Sequence, residues 1–113
     1  MQQLEVLQKL YESISKGPEV LEGIDPDRIA GEQAQDIAEL VRLRQAGRGW
    51  DSDVCGRLVE NVDDVGCLLE MGDICQLTAH WNEAVRGYER VLDKSNDDKV
   101  VSIVAKRENQ ANK

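Results

Sequence analysis

Val65-Gly-Cys-Leu68-Leu-Glu-Met71-Gly72-Asp-Ile-Cys75-Gln-Leu-Thr-Ala-His-Trp81-Asn-Glu-Ala84-Val-Arg-Gly-Tyr88-Glu-Arg-Val91-Leu92 is the stretch whose reading decides the fold. On its own it is an antiparallel helical hairpin with a small-residue crossing. One helix runs to a turn near Ala79-His80, a second opens at Trp81, and a polar turn through Asn96 follows. Apolar residues recur at helical spacing in both halves, so each helix has a face to bury against the other.

The spacing of the large and small residues resembles one tetratricopeptide repeat, a helix-turn-helix unit of about 34 residues. Leu68 and Met71 take the large positions before Gly72, the small residue at the crossing. Ala84 is the small partner twelve residues on and Tyr88 the aromatic four after that, while Trp81 takes the bulky turn position and Val91 and Leu92 close the second helix. Cys75 stands where the family favours Tyr, and Asn96 where it favours Pro. Such units stack and present a surface to another protein, so the resemblance implies binding rather than catalysis. It also implies where that surface lies: on Gly66, Leu69, Asp73, Gln76 and Leu77 of the first helix and on Val100, Ile103 and Arg107 of the next. Family members that clamp a terminal carboxylate carry Lys and Asn where this chain has Leu69 and Asp73, so that clamp is not expected. A mixed apolar and acidic groove would suit an amphipathic helix or a basic segment. The competing reading makes Leu69, Leu77, Val100 and Ile103 core. Shifting the frame back by 34 residues places Ile37, Ala38 and Val41 on Met71, Gly72 and Cys75, but Trp50 falls where the small Ala should be, so an earlier repeat is degenerate at best.

The 113 residues make one domain with a small core. With no Phe, two Trp and two Tyr, that core must be aliphatic. A net charge of −8 argues against nucleic acid and anionic membranes as partners. Between residues 51 and 73 seven acids face one base, Arg57. A charge run is ordinarily a solvated face, but an acidic patch would favour a basic partner. Cys55, Cys67 and Cys75 contain no CxxC pair, so a zinc site is not expected. Cys67 and Cys75, eight apart on one helix, would lie about 12 Å from each other, too far for a disulfide. All three read as small core residues in a reducing compartment. Met1-Gln-Gln-Leu-Glu5 is not the start of a signal peptide and no apolar run reaches membrane-spanning length, so a cytoplasmic location is expected.

The rest of the chain reads as helix throughout. Leu4, Leu7, Leu10, Tyr11 and Ile14 make one stripe on a helix from Gln3 to Lys16, ended by Gly17-Pro18, with Val20, Leu21 and Ile24 packing in the turn. A second helix is expected to start at the Asp25 cap and Pro26. It buries Ile29, Ile37, Leu40 and Val41, presents Ala30, Ala34 and Ala38, and ends at Gly47-Arg-Gly49 with Arg42, Arg44 and Arg48 near its negative pole. A third helix follows Asp51 or Ser52 and carries Val54, Cys55, Leu58, Val59 and Val62. Asn61-Val-Asp-Asp64 fits either a new cap or a turn of one continuous rod. Val100-Val101-Ser-Ile-Val104 is rich in β-branched residues but has no second strand to pair with. A capping helix from about Asp97 to Arg107 is expected there, followed by a flexible tail over 108–113.

Two constellations bear on chemistry. His80, the single histidine, lies in the turn beside Trp81 with no framework for a nucleophile and its base. Asp36-Ile-Ala-Glu39 and Glu60-Asn-Val-Asp63 each place two acids on one helix face. That looks like the spacing of MazG-like all-α nucleotide pyrophosphatases, in which such residues bind magnesium. Gln35 stands where that family often has a further Glu, and no basic residues for a triphosphate are identifiable.

The expectation is therefore an all-α compact bundle of five or six helices over residues 1–107, with the tetratricopeptide-like pair at 65–98. It would be non-enzymatic and free of cofactors, binding a partner protein through Leu69, Asp73, Gln76, Leu77, Val100, Ile103 and Arg107. By its size and charge it looks like an adaptor or a dedicated chaperone of the kind that holds secretion-system subunits; a second copy of the chain is a further candidate partner. The alternatives are the magnesium pyrophosphatase using Asp36, Glu39, Glu60 and Asp63, and an acidic inhibitor of a nucleic-acid-binding protein.

Overall fold

The computed structural model describes residues 1–95 and 97–111, with side chains through 107. Six α-helices follow one another among them: α1 (Gln3–Lys16), α2 (Ala34–Gln45), α3 (Ser52–Asn61), α4 (Val65–Leu77), α5 (Trp81–Lys94) and α6 (Asp98–Ala111). Two 3-10 turns, Pro18–Leu21 and Pro26–Arg28, lie between α1 and α2. The radius of gyration, 13.3 Å, is that of one compact all-α bundle of this length. No helix among the described residues is long and apolar enough to cross a membrane.

The core is aliphatic, as a chain without Phe requires. Leu7, Leu10, Leu21, Ile37, Leu40, Leu58, Leu68, Met71 and Ile74 are fully buried, and Tyr88 is the one large aromatic among them. α4 is the central helix. It packs most extensively on α5, then on α1 and α3, while α6 packs on α5. The α4–α5 approach is set by two glycines. A Cβ on Gly72 would lie 2.6 Å from Tyr88 Cε1, and one on Gly87 would lie 3.6 Å from Gly72 Cα. Tyr88 therefore lies over Gly72, and Gly87 comes against the Gly72 backbone at the crossing, with Ala84, the expected small partner, buried one turn away.

The break between α3 and α4 is real. Val62 and Asp64 are extended, and Asp64 Oδ2 accepts from the Cys67 amide at 3.0 Å, opening α4 as an N-cap. Asp51 does the same for α3 through the amides of Asp53 and Val54. Arg90, reaching across from α5, donates to the carbonyls of Val59 and Val62 at 2.7 Å each and so supplies the partners that the end of α3 lacks.

Helix two starts later than its sequence signals indicate. Asp25 does cap, accepting from Asp27 N, but the turn it opens is a single 3-10 turn. Ile29 and Ala30 then run extended beside the amino terminus, where Ala30 N donates to Met1 O at 2.8 Å and Ala30 bridges Gln2. Gly31 turns the chain at φ +134°, under the side chain of Gln3. Ala34 and the buried Ile37, Ala38, Leu40 and Val41 follow in α2 itself. The frame shift that set these residues on α4 does not describe the packing, because α1 and not α2 is the helix laid along α4. Leu4 lies beside Gly66, Gln3 reaches Cys67, and Tyr11 reaches the level of Leu77, so α1 and α4 run parallel.

Val100–Val104 is helical, and α6 continues to Ala111, past the end expected at Arg107. Asn96 and residues 112–113, on which the expected turn and the end of the expected tail fall, lie outside the described residues.

Candidate functional site

Four of the residues assigned to a partner surface come together. Asp73, Gln76 and Leu77 from α4 and Arg107 from α6 line one cleft, and Tyr11 from α1 closes it. α4 is thus the floor of a channel with α1 and α6 as its walls. Its volume of about 190 Å³ falls below the 300–1,000 Å³ of ligand pockets, so it has room for a side chain or two rather than a cofactor. Its apolar lining is exposed, Leu77 at 54 % and Tyr11 at 37 %, and Ile103, 43 % exposed, lies one turn before Arg107 on α6. Leu69 and Val100 are half-buried and packed against the core, so they offer less surface than Leu77 and Ile103. Gly66 is covered by Leu4.

The floor is a polar network. The Tyr88 hydroxyl donates to Asp73 Oδ1 at 2.7 Å, with Gln76 Oε1 as a second acceptor at 2.9 Å. Arg107 closes an ion pair on the same Asp73 oxygen, tying α6 to α4. Burial and the Asp73 carboxylate push the Tyr88 phenol far up, so it stays a donor. The hydrogen bond to Asp73 raises Arg107 in turn. Glu70, one turn before Asp73, is half-buried and makes no hydrogen bond or ion pair among the described residues. Burial and the nearby Asp73 charge raise its pKa, against the pull of Arg107.

The acidic run is not a free patch. Asp51 and Asp64 are caps, Glu60 pairs with Arg86 at 2.6 Å, Asp63 pairs with Arg90 and Lys94, and Asp73 is held as above. Arg86 holds the Glu60 carboxyl below the usual range. The four carboxylates weighed for magnesium are likewise matched with arginines: Asp36 and Glu39 both with Arg57, Glu60 with Arg86 and Asp63 with Arg90. Among the described residues no three His, Cys, Asp or Glu side chains group as a metal site.

His80 is a turn residue. Its Nδ1 lies 2.8 Å from Thr78 Oγ1, which itself donates to Ile74 O at 2.8 Å, so the ring serves the end of α4. Trp81 is 48 % exposed at the first position of α5 and fills no turn pocket. All three cysteines are free and buried. The neighbouring Cys55 thiol of α3, together with burial, pushes Cys75 far up. Burial and Asp64 push Cys67 to about 11. None is poised as a nucleophile.

A larger cleft, about 460 Å³, lies elsewhere, between Pro26–Ile29 and Ala34, Gln35, Ala38 and Arg42. Its charges are spent on one another in the Arg42–Asp27 pair at 2.5 Å, and no large apolar side chain is exposed in it. The α4 cleft, with its exposed rim, is the better candidate.

Tyr11 and Glu70 were missed as site residues for different reasons. Tyr11 sits in an apolar stripe and reads as core; Glu70 is one acid among many, and only half-burial without a partner separates it from the exposed Asp53. Comparison of the chain with family models, curated proteins and solved structures finds no match.

Proposed function

We propose that this chain is a non-enzymatic protein-binding module, an adaptor or dedicated chaperone, whose α4–α5 pair is a tetratricopeptide-like unit. The observation that carries the reading is the cleft over α4, where exposed Leu77 and Tyr11 flank a polar floor too small for a cofactor, with exposed Ile103 one turn from Arg107. Large apolar side chains left in water around a groove are what a partner's side chains cover. The glycine crossing beneath Tyr88 and the tie between Asp73 and Arg107, 34 positions apart, support the repeat-like part of the reading.

Leu77→Glu tests it. The side chain is mostly in water, so circular dichroism and Tm should stay unchanged while a partner retained from the native host's extract is released. Equal retention by both forms would sink the proposal. The same substitution at half-buried Leu69 would confound folding with binding.

A further inference from the structure

We infer that the segment occupying the α4 cleft brings a lysine or arginine to Glu70 beside an aliphatic side chain on Leu77; this rests on the cleft being the binding surface. Glu70 and Leu77 are seven residues apart on one helix, hence on one face and about 10 Å from each other. Leu77 lines the channel beside Tyr11 of α1, and Glu70 lies two turns before it, within electrostatic reach of the Asp73–Arg107 pair on the channel floor. Of the seven acids between residues 51 and 73, five serve as caps or in cross-helix pairs. Glu70 is half-buried and has no such partner among the described residues. The cation acting on it, Arg107, is already bonded to Asp73, so the surface beside the channel keeps an uncompensated negative charge at Glu70.

In the free protein water reaches Glu70 and the charge is tolerated. A partner seated on Leu77 and Ile103 would exclude that water. An apolar or acidic occupant would then strand a carboxylate without a counter-ion, whereas a cation there makes the contact complementary and selects the partner. A helix carrying a basic and an aliphatic residue seven apart presents the matching pair.

Calorimetric titration of the full chain with two synthetic amphipathic helices tests this. Both have a leucine stripe and about fifteen residues; they differ in Lys or Glu at the position seven before the central leucine. The lysine peptide should bind about tenfold tighter than its twin, less so in high salt. Glu70→Gln should reduce that preference to below about threefold with circular dichroism unchanged. Equal affinity of the twins, or a preference that survives Glu70→Gln, overturns the cation inference and leaves the cleft reading standing. Binding of the lysine peptide that ignores Leu77→Glu, or no binding of either twin, overturns the cleft reading and this inference with it.

Discussion

Between α4 and α5 the chain closes on two glycines and one tyrosine; in the amino-terminal half it closes on long polar side chains. There Arg44 donates to Ser13 O and Oγ at the end of α1 and stands over the Trp50 ring. Gln45 donates to Leu21 O and Ile24 O, and Gln33 to Asn61 O. A regular helix pair satisfies its own main chain, so close approach of backbones is all that its interface has to provide. The 3-10 turns and extended links before α2 leave carbonyls unpaired inside the fold, and side chains from other helices must supply the missing bonds. The difference shows that the two halves of one core can be equally buried yet depend on different kinds of residue.

The comparison breaks most sharply at Gly72. Gly72→Ala drives a Cβ into the buried Tyr88 ring, and overlap outweighs the better helix propensity of Ala, for a net loss of about 2 kcal/mol in urea denaturation. Gly56→Ala in α3, where nothing lies within 4 Å, should instead gain about 0.5–1 kcal/mol, which separates crowding from propensity. In the other half, Gln45→Leu orphans the Ile24 carbonyl and leaves Leu21 O with the Ile24 amide alone, and should cost about 1–2 kcal/mol. Hydrogen exchange should place that loss in α1 and the first 3-10 turn rather than in α4 and α5; uniform acceleration would mean that the halves do not differ in this way.

The smallest effect compares two helix ends. α2 and α4 finish alike. Arg48 N bonds Leu43 O and Gly47 N bonds Arg44 O; His80 N bonds Cys75 O and Ala79 N bonds Gln76 O. The left-handed residue is Gly47 in one (φ 73°) and Ala79 in the other (φ 62°). Ala79→Gly should therefore stabilise by up to about 1 kcal/mol, since it relieves the side-chain clash of that conformation while adding chain entropy to the unfolded state. An unchanged or lower Tm would show that Ala79 is held without strain.

Much of the architecture was legible because it is local. The α1 stripe, a cap at Asp51 or Ser52 and the turn at Ala79-His80 each rest on residues within a helical turn or two of one another, while Asn61-Val-Asp-Asp64 fits a cap and a continuous rod equally. The start of α2 was misread for the same reason. Asp25-Pro26 is a true cap, but the amino terminus, brought alongside Ala30 by the fold, competes for the strand-like residues that follow. The candidate cleft was half legible. Asp73, Gln76, Leu77 and Arg107 meet in one cleft, whereas Leu69 and Val100 are half-buried against the core and Tyr11 enters from a helix more than sixty positions away.

The sequence by itself determined the helices, their aliphatic core and the small-residue crossing, because apolar periodicity and capping act over a few residues. Only the tertiary structure decided that α1 lies parallel to α4, that most of the acidic run is spent on caps and arginines, and that Glu70 is left over. Those outcomes depend on which distant side chains share a neighbourhood, and no pattern along the chain encodes that pairing.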